Sequence, residues 1–577
     1  MQLKTLPTAS AAGARLIVGV TAHRDIVPAI VPQLEEDVRA FLQRLRAEHP
    51  QLPIAVMSGL AEGGDRLVAR CALALGFPLI AVLPLSLAEY ASDFSSPDSR
   101  LEFDLLLGQA QVMELPIATG NTPESVREPG PARDRQYAQL GVYVASHCQV
   151  LLALWDGRRS DAAGGTSAVV TYHLRGVMTG FSNEGAPPNL LADDDSDLVF
   201  HIACPREREN GQVEDPLRSR WLTCSGESPG DGPMPDTYRR MFRQLGEFNA
   251  DAQKYARSIT AGGSTLLPAN AGIEWPRSAL SIDAMYVRAD WLALHFRRRV
   301  HHSLLFLHMS AVLTGLAFLL YSEFQAGRGY LVFMLALFVG AVVLTKFGAR
   351  REWHRRYLDY RVLAEGLRVQ CYWTIAEVPA AHHARFAYDS FLQKQDVELG
   401  WIRHVMRVAN LGEQPRAGKG DSGLRWVIDN WVGDGGGTGQ LGYFRRRTAQ
   451  RERKYRHTEV LGRLSLLLSL VCAVALLIAG TFMPVAMARL LLVLMGVAAL
   501  FAGVREAYSH KLADKELIKQ YRFMSRIFAG AAKRLAEARL PSAQHQVLEA
   551  LGQAALEEHA EWILMHRERP LEHNRLG

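Results

Sequence analysis

Four apolar runs in the C-terminal half constrain this chain more than any other feature: Ser303–Tyr321, Tyr330–Thr345, Leu464–Met483 and Leu490–Val504. A helix rises about 1.5 Å per residue, so about 20 apolar residues cross a hydrocarbon core of roughly 30 Å. The first and third runs reach that length. The second and fourth reach it when flanking Arg and Lys stems extend toward water. The runs come in pairs, and their connectors, 323–329 (EFQAGRG) and 484–488 (PVAMA), admit only tight hairpins. Two helical membrane hairpins are expected.

Charge gives the orientation. Arg297, Arg298 and Arg299 precede the first run, and Lys346, Arg350 and Arg351 follow the second. Arg451, Arg453, Lys454 and Arg456 precede the third, and Arg505 and Lys511 follow the fourth. The hairpin tips carry only Arg328 and Arg489. The positive-inside rule then places both chain ends and the middle connector in the cytoplasm, with the spans in the inner membrane. The N-terminal stretch MQLKTLPTASAAGARLIVGV has no long apolar core, so no cleaved leader is expected. No run holds Asp, Glu or Lys at its centre, which disfavours a transporter or proton relay. His308 lies inside the first run and is expected to be satisfied by a neighbouring helix.

The hairpins look like an internal repeat. Residues 347–368 (FGARREWHRRYLDYRVLAEGLR) follow the first, and 501–522 (FAGVREAYSHKLADKELIKQYR) follow the second. Without gaps, Arg351 aligns with Arg505, Glu352 with Glu506, Leu358 with Leu512 and Arg368 with Arg522. A repeated hairpin with a trailing amphipathic helix suits a symmetric homo-oligomer.

At 577 residues the chain holds several units, and its net charge of +6 is too small to mark a nucleic-acid binder. Six cysteines (71, 148, 204, 224, 371 and 472) show no CxxC spacing, which argues against disulfides and a cysteine-based zinc site. Expected boundaries are 1–210 for a ligand-binding domain and 211–290 for a linker and helical connector. The first hairpin with its helix takes 291–380, a connector 381–455, the second hairpin 456–540, and a helical tail 541–577. Arg206–Pro233 reads as loop and Asp236–Arg257 as an amphipathic helix. The glycine run at 433–440 reads as a flexible linker, since it lacks the Lys of a phosphate loop.

Residues 15–205 alternate apolar strands with helices: strands at 15–20, 54–57, 78–84, 112–115, 150–155 and 198–203, the last of the sheet, and helices at 31–47, 67–75 and 133–148. Continuous apolar strands between helices mean a parallel sheet covered on both faces. The fold class is therefore α/β Rossmann-like, followed by an α-helical membrane domain of four transmembrane helices in two hairpins. Ligands of such sheets sit beyond the C-terminal strand ends, and those ends carry polar, glycine-rich turns. The first is Thr21–Asp25, with Thr21, His23 and Arg24 as anion contacts. The second is MSGLAEGGD (57–65), where Ser58, Gly59, Glu62, Gly63 and Gly64 bring backbone close to a ligand. Asp65 there is either a ribose partner or a helix N-cap. The third turn, 156–167, offers Asp156, Gly157 and Arg158, with Arg159 beside them. Gly164, Gly165, Thr166 and Ser167 form its phosphate loop. Tyr137 reads as core.

GVTAHRD, SGLAEGGD and WDG…GGT, in that order, resemble the SLOG superfamily, which unites the DNA-processing protein A fold, the Lonely Guy phosphoribohydrolases and ligand-sensing domains of immune effectors and melastatin-type channels. The resemblance covers residues 13–205. The hairpins, with Leu363–Ala364–Glu365 in the trailing helix, resemble SLATT membrane elements. Together these imply a bacterial anti-phage effector. Its sheet domain would bind a nucleotide-derived second messenger, of ADP-ribose or cyclic-nucleotide type, and its spans would permeabilise the bilayer. No metal and no catalytic residue is assigned. Ala22 stands where related domains often carry Gly, and no Glu follows Thr166 where the phosphoribohydrolases have one. Glu62, Asp65, Glu89 or Asp156 could substitute, so the alternative is a membrane-anchored nucleotide-processing enzyme.

Overall fold

The computed structural model describes residues 13–567 except 95, 161–163, 179, 182–196, 208–212, 270–271, 325–326, 379–387, 389–390, 393–396, 412–419 and 434–438. Most of the glycine run at 433–440 thus lies outside the described residues. The chain forms two compact units, one of residues 1–289 with 363–420, the other of 290–362 with 421–577.

The first unit is built on an eight-stranded mixed sheet. In chain order its elements are β1 (Leu16–Ala22), α1 (Val31–Glu48), β2 (Ile54–Ser58), α2 (Gly64–Ala74), β3 (Leu79–Leu83), α3 (Leu87–Ala91) and α4 (Pro97–Gln109). They continue with β4 (Gln111–Glu114), α5 (Pro131–His147), β5 (Val150–Trp155), α6 (Thr166–Arg175) and β6 (Leu198–Ala203). The last are β7 (Ser219–Leu222), β8 (Glu227–Pro229), α7 (Asp236–Lys254) and α8 (Ala256–Gly262). The order across the sheet is β4-β3-β2-β1-β5-β6-β7-β8, parallel from β4 to β6. The core strands β1, β2, β3, β5 and β6 are buried almost throughout, as strands covered on both faces must be. Ile17, Met57, Val82 and Leu151 point to the side where Tyr143 and Val144 of α5 and Val169 of α6 complete a core.

The stretch expected as loop, 206–233, instead adds β7 and β8 as an antiparallel edge. These strands have four and three residues, too few for a visible alternation. One residue anchors them: Trp221, 1% exposed, packs its ring 4.7 Å from Phe200 of β6. The residues expected as connector join the same unit, for Asn249 of α7 bonds both the N–H and the C=O of Ala14 at 2.8 Å.

The remaining helices are α9 (Arg277–Phe324), α10 (Gly329–Arg350), α11 (Trp353–Ile375), α12 (Gly400–Ala409), α13 (Gly420–Val427), α14 (Gly439–Ala479), α15 (Val485–Lys511), α16 (Asp514–Glu537) and α17 (Pro541–Arg567). Among the described residues, four of these helices (α9, α10, α14 and α15) contain stretches long and apolar enough to cross a membrane. They are the four apolar runs. With 48 residues, α9 extends about 72 Å and continues well past its apolar run. In the second unit α9 and α15 approach closely at small residues, as helices in lipid do. A Cβ on Gly315 would lie 2.3 Å from Leu500, and one on Gly496 would lie 2.8 Å from Leu319. His308 differs from expectation. Its Nδ1 bonds Leu304 O of its own helix at 2.8 Å, while Tyr508 of α15 only packs against the ring.

Candidate ligand-binding site

Strand order reverses between β1 and β5. From β1 the sheet runs one way through β2, β3 and β4, and the other way through β5 and β6. The chain leaves these two neighbours in opposite directions, so their C-terminal turns part and open a crevice. A cavity of about 800 Å³ lies there. That volume is within the range of small-molecule sites.

The structure brings eleven of the sixteen candidate residues onto its wall. Thr21, His23 and Arg24 come from the end of β1, and Gly59 and Asp65 from the turn after β2. Asp156, Arg158, Gly164, Gly165, Thr166 and Ser167 come from the loop after β5, with Arg159 beside them. Ser58, Glu62, Gly63, Gly64 and Gly157 do not line it. Each has another task. Ser58 is fully buried; its Oγ donates to Asp65 Oδ2 at 3.3 Å and accepts from Leu60 N–H at 3.1 Å. Glu62 accepts from Ser99 Oγ. The glycine pair serves packing, not ligand approach. A Cβ on Gly63, whose φ is +80°, would lie 2.1 Å from the Arg24 carbonyl, and one on Gly64 would lie 2.5 Å from Ala22. Only glycines let α2 start this close to the turn after β1. Gly157, with φ +81°, turns the chain between Asp156 and Arg158.

Asp65 is not the N-cap of α2. It lies in the first turn of α2, where Gly63 is the cap residue and no side chain caps. Its carboxyl is buried. Burial pushes its pKa up to about 7, against the opposing pull of Arg24, the Ser58 hydroxyl and the Ala61 and Ala22 amides. His23 is also held near its turn. Burial lowers its pKa, against the opposing pull of the Asp156 carboxylate, and its Nε2 lies 3.1 Å from the Asp156 N–H. The same Nε2 lies 3.2 Å from Asp156 Oδ1. Asp156 Oδ1 also accepts from Arg158 N–H at 3.0 Å, and Trp155 Nε1 donates to Arg158 O at 3.0 Å. These bonds fix the start of the loop after β5.

At its end, Gly165 is the cap residue of α6 and offers no side chain, so the first amides of α6 have no capping partner from it. Thr166 and Ser167 flank them on the cavity wall. This is the geometry that accepts an anion at a helix start. Gly164, with φ +77°, lets the loop pass over α5, since a Cβ there would lie 2.7 Å from the Ala138 nitrogen.

Sequence reasoning missed several wall residues. Tyr137, read as core, is only half-buried and lines the cavity; its hydroxyl donates to Asp93, and burial raises its pKa to about 12. The Arg24 guanidinium sits 5.7 Å from its ring centre. Tyr90 of α3 donates to Gly59 O at 2.9 Å and closes the wall beside Asp65. Arg206 bonds Asp25 at 3.0 Å and lines the cavity from beyond β6. Arg206 was findable, because it follows a strand end like the rest. Tyr137 was not, because helix periodicity does not reveal which turn of a face runs past the sheet edge.

The cavity wall thus combines a helix start with its hydroxyls, the cations Arg24, Arg158 and Arg159, the rings of Tyr90 and Tyr137, and the Asp65 carboxyl. Among the described residues no cluster of His, Cys, Asp or Glu is arranged to hold a metal. No family model, curated protein or solved structure matches the chain, so what this cavity can hold follows from its own residues.

Proposed function

We propose that the sheet unit is a Rossmann-like sensor of the SLOG kind and that its cavity binds a nucleotide-derived second messenger. The ligand's phosphate would lie on the start of α6, and its base or ribose against Tyr137 and Arg24. The carrying observation is that the turns after β1 and β5 enclose one cavity at the strand-order reversal, with an uncapped helix start on its wall. The four apolar helices, as SLATT-like hairpins, would act as the effector in the inner membrane, with both chain ends in the cytoplasm. Ligand binding biases a homo-oligomer toward a permeabilising state, which demands differential affinity for the two states. This is the reading of an anti-phage effector.

One observation favours a second reading. Asp65, a carboxyl with a pKa near neutrality on the cavity wall, is placed to exchange a proton with a bound ligand. The enzyme alternative, a membrane-anchored nucleotide-processing protein, rests on it.

Calorimetry on the full-length chain in nanodiscs tests both, against ADP-ribose derivatives and cyclic oligonucleotides, with chromatography of the ligand afterwards. Binding of an intact ligand, abolished in Gly165→Trp and accompanied by dye release from liposomes, is the expected result. Ligand breakdown would put the enzyme first. Absence of binding across the panel would overturn the sensor.

A further inference from the structure

We propose that the groove along α16 is the seat of a second copy of this chain, the two copies meeting as a two-fold pair. It rests on the homo-oligomer reading above, gives that oligomer one interface, and is independent of what the cavity in the sheet unit binds.

Within the second unit, α14, α16 and α17 enclose a groove of about 1050 Å³ whose lining residues all lie outside the four apolar runs. Its floor is α16, where Glu516, Lys519, Phe523 and Arg526 recur at helical spacing and share one face. The opposite face of α16 is anchored. Ile518, Met524, Phe528 and Leu535 are buried there, and the Phe528 ring packs 5.6 Å from Phe444 of α14. Both walls are tied to the floor: Arg522 bonds Glu452 of α14 at 2.8 Å, and Gln520 donates to Glu558 of α17. The groove is therefore a surface of fixed shape, which loses less entropy when a partner binds.

Apolar surface is open at this groove, beyond the reach of acyl chains. Phe523 is 46% exposed, and Leu564 and Met565 at the α17 wall are 47% and 38% exposed. The charges around them balance, for four basic and four acidic side chains line the groove. A nucleic acid or an anionic headgroup calls for an excess of cations, and a basic peptide for an excess of acids. A balanced set fits a surface of the same make-up. Lys519, Arg526 and Glu561 are exposed and make no ion pair among the described residues. The floor thus offers two cations and the α17 wall an acid. A copy turned about a two-fold axis brings its Glu561 toward Lys519 and Arg526 and receives the same contact in return. Phe523 and Met565 then form the apolar centre of the contact, ringed by those charges.

Photocrosslinking of the full-length chain in the membranes of expressing cells tests this. The photoreactive residue p-benzoylphenylalanine in place of Phe523 is expected to join two copies of the chain. The same group in place of Leu540, which is 66% exposed at the turn between α16 and α17, is not. Mass photometry of the detergent-solubilised chain on dilution gives the strength. Lys519→Glu/Arg526→Glu should raise the dissociation constant at least about tenfold. Adding Glu561→Arg should restore most of the loss, a rescue that a folding defect would not show. Assembly without a crosslink at position 523, or indifferent to these variants, would overturn this interface and leave the homo-oligomer standing. A chain that stays monomeric at every concentration would overturn both. A crosslink formed only within one chain, or only to a different protein, would give the groove to that occupant and overturn the second copy.

Discussion

Asp65 shows how one residue can hold two roles in tension. It is buried under the turns after β1 and β2, where its amide and hydroxyl donors position it, yet burial keeps it half-protonated near neutrality. The native state therefore binds a proton that the unfolded chain, with an ordinary carboxyl, gives up near pH 4. The stability from that proton is fully present below pH 4 and is lost as pH rises through about 7. Asp65→Asn keeps the shape without the charge. It should raise the unfolding temperature at pH 8 and flatten its dependence between pH 4 and 7, a gain on the order of a few kcal/mol. A variant that melts lower than the parent at pH 8 would show that the ionised carboxylate stabilises the turn. In the sequence this residue read as a ligand contact or a cap. Neither reading anticipates a buried carboxyl, because burial depends on Tyr90 and on the turn at Ala22 and Arg24, which arrive from other segments.

At the scale of elements, the hairpins were legible because each helix carries its own signal of length, apolarity and flanking charge. Their repeat was legible only in part. Gapless alignment pairs Glu352 with Glu506, but the helix breaks are at Glu352 in the first copy and at Ala513 in the second, seven residues, or about two turns, further on. The second copy prolongs α15 before turning into α16. Both breaks use a left-handed backbone in a non-glycine residue, with φ of +48° and +51°. Such a conformation costs about 1 kcal/mol. Ala513→Gly should recover it, seen as a rise of a few degrees in the unfolding temperature of the detergent-solubilised chain. No rise would mean that the glycine's greater unfolded-state freedom offsets the relief. The same local logic failed at β7 and β8, whose few residues become strands only because β6 offers an open edge and Trp221 a buried anchor.

At the scale of the whole molecule, the sheet unit is discontinuous. Residues 363–420 return to it after the first hairpin. Arg407 of α12 bonds Asp197, just before β6, at 2.6 Å, and each side chain is 1% exposed. Arg407→Met leaves the Asp197 carboxylate buried without its guanidinium and should cost about 3–5 kcal/mol. The double variant with Asp197→Leu should recover most of that, as read by denaturant unfolding. By the same reasoning, residues 1–289 expressed alone should be far more protease-sensitive than the same residues in the full chain. The sequence by itself determined the four membrane-length helices and the strands of the parallel sheet, since apolarity, periodicity and flanking charge act over a few neighbouring residues. Only the tertiary structure decided which strand ends became neighbours. Placing β5 beside β1 put the turn at Thr21 next to the loop at Gly164, and brought Tyr137 and Arg206 to the same cavity. Pairing across more than a hundred residues is set by how the layers pack as a whole, and no local pattern encodes it.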